Sequence, residues 1–216
     1  MALTLIEVLV LIGIIGIVIA VVLVNNARSR PRLTIPLCRF HLHQIGEAMS
    51  EFAADHDGKF PQRVSTNDGG SMEFNTEGSP AIHFQVLSNY YYPRLSEEWL
   101  LSCPADTLKK PPRDHLSHYE NHNISYFISV DASQSVPNAI LAGDRNLRVA
   151  GQTVRPGLFV LRTNVSVGWT RELHGKSAGT PCGNILFSDG HVETLWSDVT
   201  GVVGRQGLST NRIAVP

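Results

Sequence analysis

The sequence predicts an α+β chain: a long N-terminal helix, membrane-spanning over its first half, packed through its second half on an antiparallel β-sheet. Three observations predict this. An apolar run from Val8 to Val24 carries no charged or polar side chain, a helical stripe of apolar residues lies between Leu37 and His56, and short apolar runs separated by turn residues fill the remainder. The charge balance narrows the function. With 18 Lys+Arg against 19 Asp+Glu, the 216-residue chain has a formal net charge of −1, which excludes a strongly basic nucleic-acid binder. Charged residues make up 17% of the chain, below the roughly 25% typical of soluble domains, and the apolar excess is concentrated at the N-terminus.

The first element runs from Leu3 to Val24, 22 residues interrupted only by Thr4 and Glu7. At ~1.5 Å per residue this is roughly 33 Å of helix, close to the ~30 Å hydrocarbon core of a bilayer. Gly13 and Gly16 permit close helix contact in lipid. A cleaved secretory signal fits poorly, because only Met1 and Ala2 precede the run, neither is basic, and Val22 to Ala27 offers no small-residue cleavage site. Glu7 separates a plain anchor from something else. A carboxylate at membrane depth costs several kcal/mol, so one turn into the helix it would either snorkel to the interface or meet a positive partner. In a filament of staggered helices, the N-terminal amine of a neighbouring subunit is such a partner.

The segment Ala2-Leu3-Thr4-Leu5-Ile6-Glu7-Val8-Leu9, followed directly by the apolar run, resembles the type IV prepilin signature. The resemblance implies cleavage by prepilin peptidase between Ala2 and Leu3, methylation of Leu3, and assembly through Glu7. Ala2 stands where the family usually has Gly, and Leu3 where it usually has Phe. Arg28, Arg30 and Arg32 follow the helix, and counting positive charge alone would hold that end in the cytoplasm. The resemblance instead places it outside the bacterial inner membrane. The implied organisation is a leader at 1–2, a transmembrane and filament-core helix at 3–24, a linker at 25–36 and an extracytoplasmic pilin-like α+β domain at 37–216.

From Pro31 onward the composition becomes that of a soluble domain and contains all 12 prolines. Leu42, Ile45, Met49, Phe52 and Ala53 recur at spacings of three and four, one apolar face of a helix that Asp57-Gly58 and Pro61 end. Pro31 and Pro36 predict a break between this helix and the membrane-spanning one. Strands are predicted at Ile82–Val86, Ile124–Val130, Ala139–Ala142, Leu158–Leu161, Asn184–Ser188 and His191–Trp196. The last two flank Ser188-Asp189-Gly190, a hairpin-turn signal. Cys38 through Pro61 is similar to the segment that follows the helix in a large bacterial group of pseudopilin-like proteins. Their C-terminal His followed by Asp-Gly has its counterpart in His174 and Asp189-Gly190, at a longer spacing, within a fitting Gly183–Val192 context.

Chemistry-bearing residues are sparse. Three cysteines, at 38, 103 and 182, allow one disulfide and one spare thiol in an exported domain. Cys38–Cys103 is the favoured pair, because it would staple the helix to the Ser102-Cys103-Pro104 loop; three free buried thiols are the alternative. No CxxC spacing suggests a zinc ribbon. Among nine histidines, His41 and His43 diverge on a helix, and His115, His118 and His122 fall in a polar, Pro-rich stretch. His174, Asp189 and His191 could converge near the hairpin, but no HExxH or facial-triad spacing supports a metal there. Asp55 to Gly58 reads as a helix-ending turn, not a calcium loop. The Gly143-Asp144-Arg145 fragment is too short to carry a claim. No nucleophile elbow, P-loop or dinucleotide fingerprint is present.

The resulting expectation is a pseudopilin: a non-enzymatic, cofactor-free structural subunit of a type II secretion or type IV pilus-like filament. Its partners are the inner membrane, prepilin peptidase and other pilin or pseudopilin subunits. A single-pass envelope domain with a metal-binding or enzymatic role through His174, Asp189 and His191 is the alternative, and a monomeric tethered ligand-binding module is a third.

Overall fold

A computed structural model describes residues 4–91, 100–109 and 119–216. The N-terminal helix α1 (Leu5–Asp55) is continuous for 51 residues, about 77 Å at ~1.5 Å per residue. Its start is fixed by a reciprocal capping box: Thr4 Oγ1 accepts from Glu7 N–H, while Glu7 Oε2 accepts from Thr4 N–H at 2.8 Å. Its end is a turn in which Asp57 and Gly58 both have positive φ and Gly58 N–H donates to Ala53 O. The expected break at Pro31 and Pro36 is absent. Each proline removes one N–H and crowds the carbonyl four residues earlier, which a helix can absorb by bending instead of ending.

Among the described residues, five α-helices and nine strands follow one another in an α+β order. After α1 come two short helices, α2 (Pro80–Gln85) and α3 (Ser88–Tyr91), then β1 (Tyr126–Ser129), β2 (Ile140–Asp144), β3 (Leu147–Val149), β4 (Gln152–Thr153), β5 (Gly157–Arg162) and β6 (Val167–Trp169). The chain closes with α4 (Gly175–Ala178), β7 (Cys182–Phe187), β8 (Val192–Trp196), α5 (Thr200–Arg205) and β9 (Thr210–Val215). The main sheet is antiparallel throughout, in the order β5-β9-β1-β2-β7-β8, and a smaller sheet has the order β4-β3-β6. The turn at Asp189-Gly190 joins β7 to β8 as the D-G signal predicts, with Gly190 at φ 90°.

One predicted strand, Ile82–Val86, is helical instead, forming α2 and its C-cap. Pro80 at the first helical position favours that choice, and the run is too short for periodicity to distinguish the two states.

The central strands of the main sheet, β1, β2 and β7, are buried on both faces. On one side, Leu42, Ile45, Met49 and Phe52 of α1 pack with Tyr126, Ile128, Leu141, Leu186 and Ala214. On the other, Phe127, Ile140, Ile185, Phe187, Ile213 and Val215 pack with Trp169 of the small sheet and Val203 of α5. Strand alternation divides each strand between the two cores. Each fully buried Leu, Ile, Met or Phe contributes about 1.5–3 kcal/mol, so the α1 stripe alone accounts for much of the docking. Gly46 lets α1 approach closely, since a Cβ there would lie 2.9 Å from Leu186 Cδ1.

His83 on α2 is fully buried; Ser71 Oγ lies 2.8 Å from its Nδ1, and Nε2 has no hydrogen-bond partner. Burial pushes its pKa down to about 4. The folded state therefore resists a proton that the unfolded state accepts from about pH 6.5 downward. Stability is expected to fall as pH drops from about 6.5 to about 4, by up to about 3 kcal/mol, with no further contribution below that window. Urea unfolding of the detergent-solubilised chain at several pH values, wild type minus His83→Gln, isolates the effect. Equal pH slopes for the two proteins would refute it.

Candidate functional site

Four segments distant in sequence deliver polar side chains to one buried point between α1 and the main sheet. Cys38 comes from the middle of α1, Cys103 from the loop before β1, Asp144 from the end of β2, and His174 from the residue preceding α4. Cys38 and Cys103 are joined by a disulfide with a Cα–Cα distance of 5.4 Å. His174 Nε2 lies 3.7 Å from Cys103 Sγ and 3.2 Å from Asp144 Oδ2. The side chains of both His174 and Asp144 are fully buried.

Asp144 is held by its neighbour on β7: Asn184 donates from its backbone N–H at 2.7 Å and from Nδ2 at 3.0 Å, both to Oδ2. Asp144 Oδ1 and His174 Nδ1 have no hydrogen-bond partner although buried. Such atoms cost about 1–3 kcal/mol each and ask for an explanation. Cys182, the remaining thiol, is also buried; desolvation, and secondarily the charge of Asp144, pushes its pKa up to about 11. It therefore stays protonated and inert at neutral pH.

Arg145, the next residue after Asp144, turns to the loop that carries Cys103. Its guanidinium makes a bidentate pair with buried Asp106, Nε to Oδ2 at 2.6 Å and Nη2 to Oδ1 at 2.9 Å, and reaches Glu172 at 3.1 Å. Asp106 also accepts from Ser125 Oγ and from the backbone N–H groups of Leu108 and Lys109. The loop is thus fixed by a covalent link on one side and a charge-assisted fork on the other.

The structure does not gather His174, Asp189 and His191 into one site. His174 is buried in the centre just described, whereas Asp189 and His191 pair with each other at the exposed β7–β8 turn, Oδ1 to Nδ1 at 2.5 Å. The His191 ring stacks on Phe187 with centroids 4.2 Å apart. The two family-motif positions therefore differ in kind: His174 faces the interior, while Asp189 and Gly190 shape a turn beside Gly46 of α1. His41 is buried with Nδ1 3.4 Å from Tyr126 Oη, and His43 is exposed near Glu47, so the two do diverge. His122 is exposed beside Glu120. Ala2, Leu3, His115 and His118 lie outside the described residues.

Sequence reasoning missed Asp144, Asp106, Arg145 and Cys182 as members of this region. The Gly143-Asp144-Arg145 fragment was the available signal: two opposite charges side by side at the end of an apolar run must point to opposite sides of a strand. No protein-family model, curated protein or solved structure matches the chain.

The disulfide closes a loop between residues 65 apart, which in the chain-entropy treatment stabilises by about 4 kcal/mol. Replacing both Cys38 and Cys103 by Ser is expected to lower the unfolding free energy of the oxidised chain by about that amount. Denaturant titration measures it, and a change below about 1 kcal/mol would mean that the linkage constrains the unfolded chain far less than its length implies.

Proposed function

We propose that this chain is a pilin-like subunit, a pseudopilin of a type II secretion or type IV pilus-like filament, that assembles through the first half of α1. One observation carries the reading. Every large apolar side chain from Leu5 to Leu23 is exposed in the isolated chain, and none of that span is buried by the chain's own domain. The mean hydropathy of 3.2 and length of 19 residues suit a bilayer before assembly and a bundle of like helices after it.

Glu7 supports assembly over simple anchoring. Both bonds that Thr4 donates to Glu7, from its backbone N–H and from its hydroxyl, go to Oε2. Among the described residues Oε1 takes no part in the box, so helix capping through Oε2 and registration against a neighbour's N-terminal amine through Oε1 can use one carboxylate together. In this reading prepilin peptidase cuts between Ala2 and Leu3, Leu3 is methylated, and the domain from residue 37 onward lies outside the inner membrane and decorates the filament. The role is structural.

Glu7→Ala is expected to leave membrane insertion intact and to abolish co-assembly with wild-type subunits, read by cross-linking of membrane fractions. Mass spectrometry of the mature N-terminus gives a second readout: a methylated Leu3 is expected. An intact Met1-Ala2 together with normal cross-linking of the Glu7→Ala chain would favour a monomeric anchored envelope domain instead.

A further inference from the structure

The buried centre holds two sulfurs, an imidazole and a carboxylate whose ligand atoms all lie within 4.8 Å of one another. That set is the donor chemistry of a tetrahedral zinc site, with sulfur and imidazole ligands and a carboxylate completing four. Both edges at His174 Nε2 that reach Asp144 and Cys103 agree as well. Bond lengths of about 2.0 Å to nitrogen and oxygen and about 2.3 Å to sulfur give tetrahedral edges of about 3.3 Å for N···O and about 3.5 Å for N···S. The corresponding separations are 3.2 Å from His174 Nε2 to Asp144 Oδ2 and 3.7 Å from His174 Nε2 to Cys103 Sγ. The sulfur–sulfur edge departs, because a covalent bond closes it; as thiolate ligands the two sulfurs would stand about 3.8 Å apart.

Two further features support a cation. A fully buried carboxylate with an unpartnered oxygen, Asp144 Oδ1, has His174 as its facing basic side chain. The paired Asn184 donors hold that carboxylate in place, as hydrogen bonds to ligating carboxylates do in metal centres.

We propose that the thiol form of this centre binds one Zn2+ through Cys38 Sγ, Cys103 Sγ, His174 Nε2 and a carboxylate oxygen of Asp144. Disulfide and metal are then alternative closures of one cross-link between α1 and the Cys103 loop, mutually exclusive because each uses both sulfurs. Conversion balances simply. Opening the disulfide takes two electrons and two protons from an external dithiol, which itself becomes a disulfide, and Zn2+ then displaces the two thiol protons. The inference is independent of filament assembly, since none of the four residues lies in the exposed span.

The test uses the full chain in detergent, reduced with a dithiol, desalted without oxygen and titrated with Co2+ as a spectroscopic probe. One equivalent is expected to bind with a thiolate-to-cobalt charge-transfer band and tetrahedral d–d bands, to be displaced by Zn2+, and to be absent from the oxidised chain. His174→Ala is expected to weaken binding by more than about tenfold, and His174→Cys to restore it with a stronger thiolate band. The proposal is overturned if the reduced wild-type chain binds no stoichiometric metal, whether folded or unfolded by near-UV circular dichroism. It is equally overturned if His174→Ala binds as tightly as wild type, or if His174→Cys leaves the thiolate band no stronger.

Discussion

The stripe Leu42, Ile45, Met49 and Phe52, seated against β7 and the neighbouring strands, is the contact on which the rest of the domain depends. It is what makes α1 one helix in two surroundings: from Leu5 to Leu23 its apolar side chains are all exposed, and from Cys38 onward one face is fully buried. A helix polar or apolar all round has no preferred orientation, whereas a stripe has one. Burying this face fixes which way Cys38 points, brings Gly46 down on Leu186, and covers the inner face of a sheet that would otherwise expose Tyr126, Ile128 and Leu141.

The second dependency is electrostatic. Two carboxylates, Asp106 and Asp144, are buried, and they are managed differently. Asp106 is met by a full guanidinium fork and several N–H and O–H donors, which is how a buried charge is made tolerable. Asp144 receives only amide donors and a histidine, and keeps an oxygen unpartnered. Adjacent residues on one strand end, Asp144 and Arg145, thus serve opposite ends: Arg145 completes a closed ion pair, and Asp144 lies against a buried histidine beside the disulfide.

What was legible in the sequence follows from where a pattern is long or chemically specific. The apolar run and the α1 stripe are long enough for helical periodicity to be unambiguous, and Asp189-Gly190 carries the conformational demand of a tight turn. The capping box is equally legible, as Thr4-Leu5-Ile6-Glu7, yet the same carboxylate also suits an intermolecular role, so the residue type alone does not single out the cap. The α2 helix was misread because six residues cannot express a period. The sheet faces were hidden for a different reason: burial on both sides erases the alternation that marks a strand, as in β2 and β7, where every residue is buried. The centre itself was illegible because its four side chains come from positions 38, 103, 144 and 174, and only the folded topology makes them neighbours.

The unbroken course of α1 through Pro31 and Pro36 has a mechanical meaning. A continuous helix carries phase as well as distance: each residue turns the chain by about 100° while advancing it ~1.5 Å. The azimuth of Glu7 and the azimuth of the Cys38 face are therefore locked by the number of residues between them, as two cams are locked on one shaft. Torque applied to the apolar end reaches the sheet without being lost in a swivel, and the orientation of the whole domain about the helix axis is set by counting.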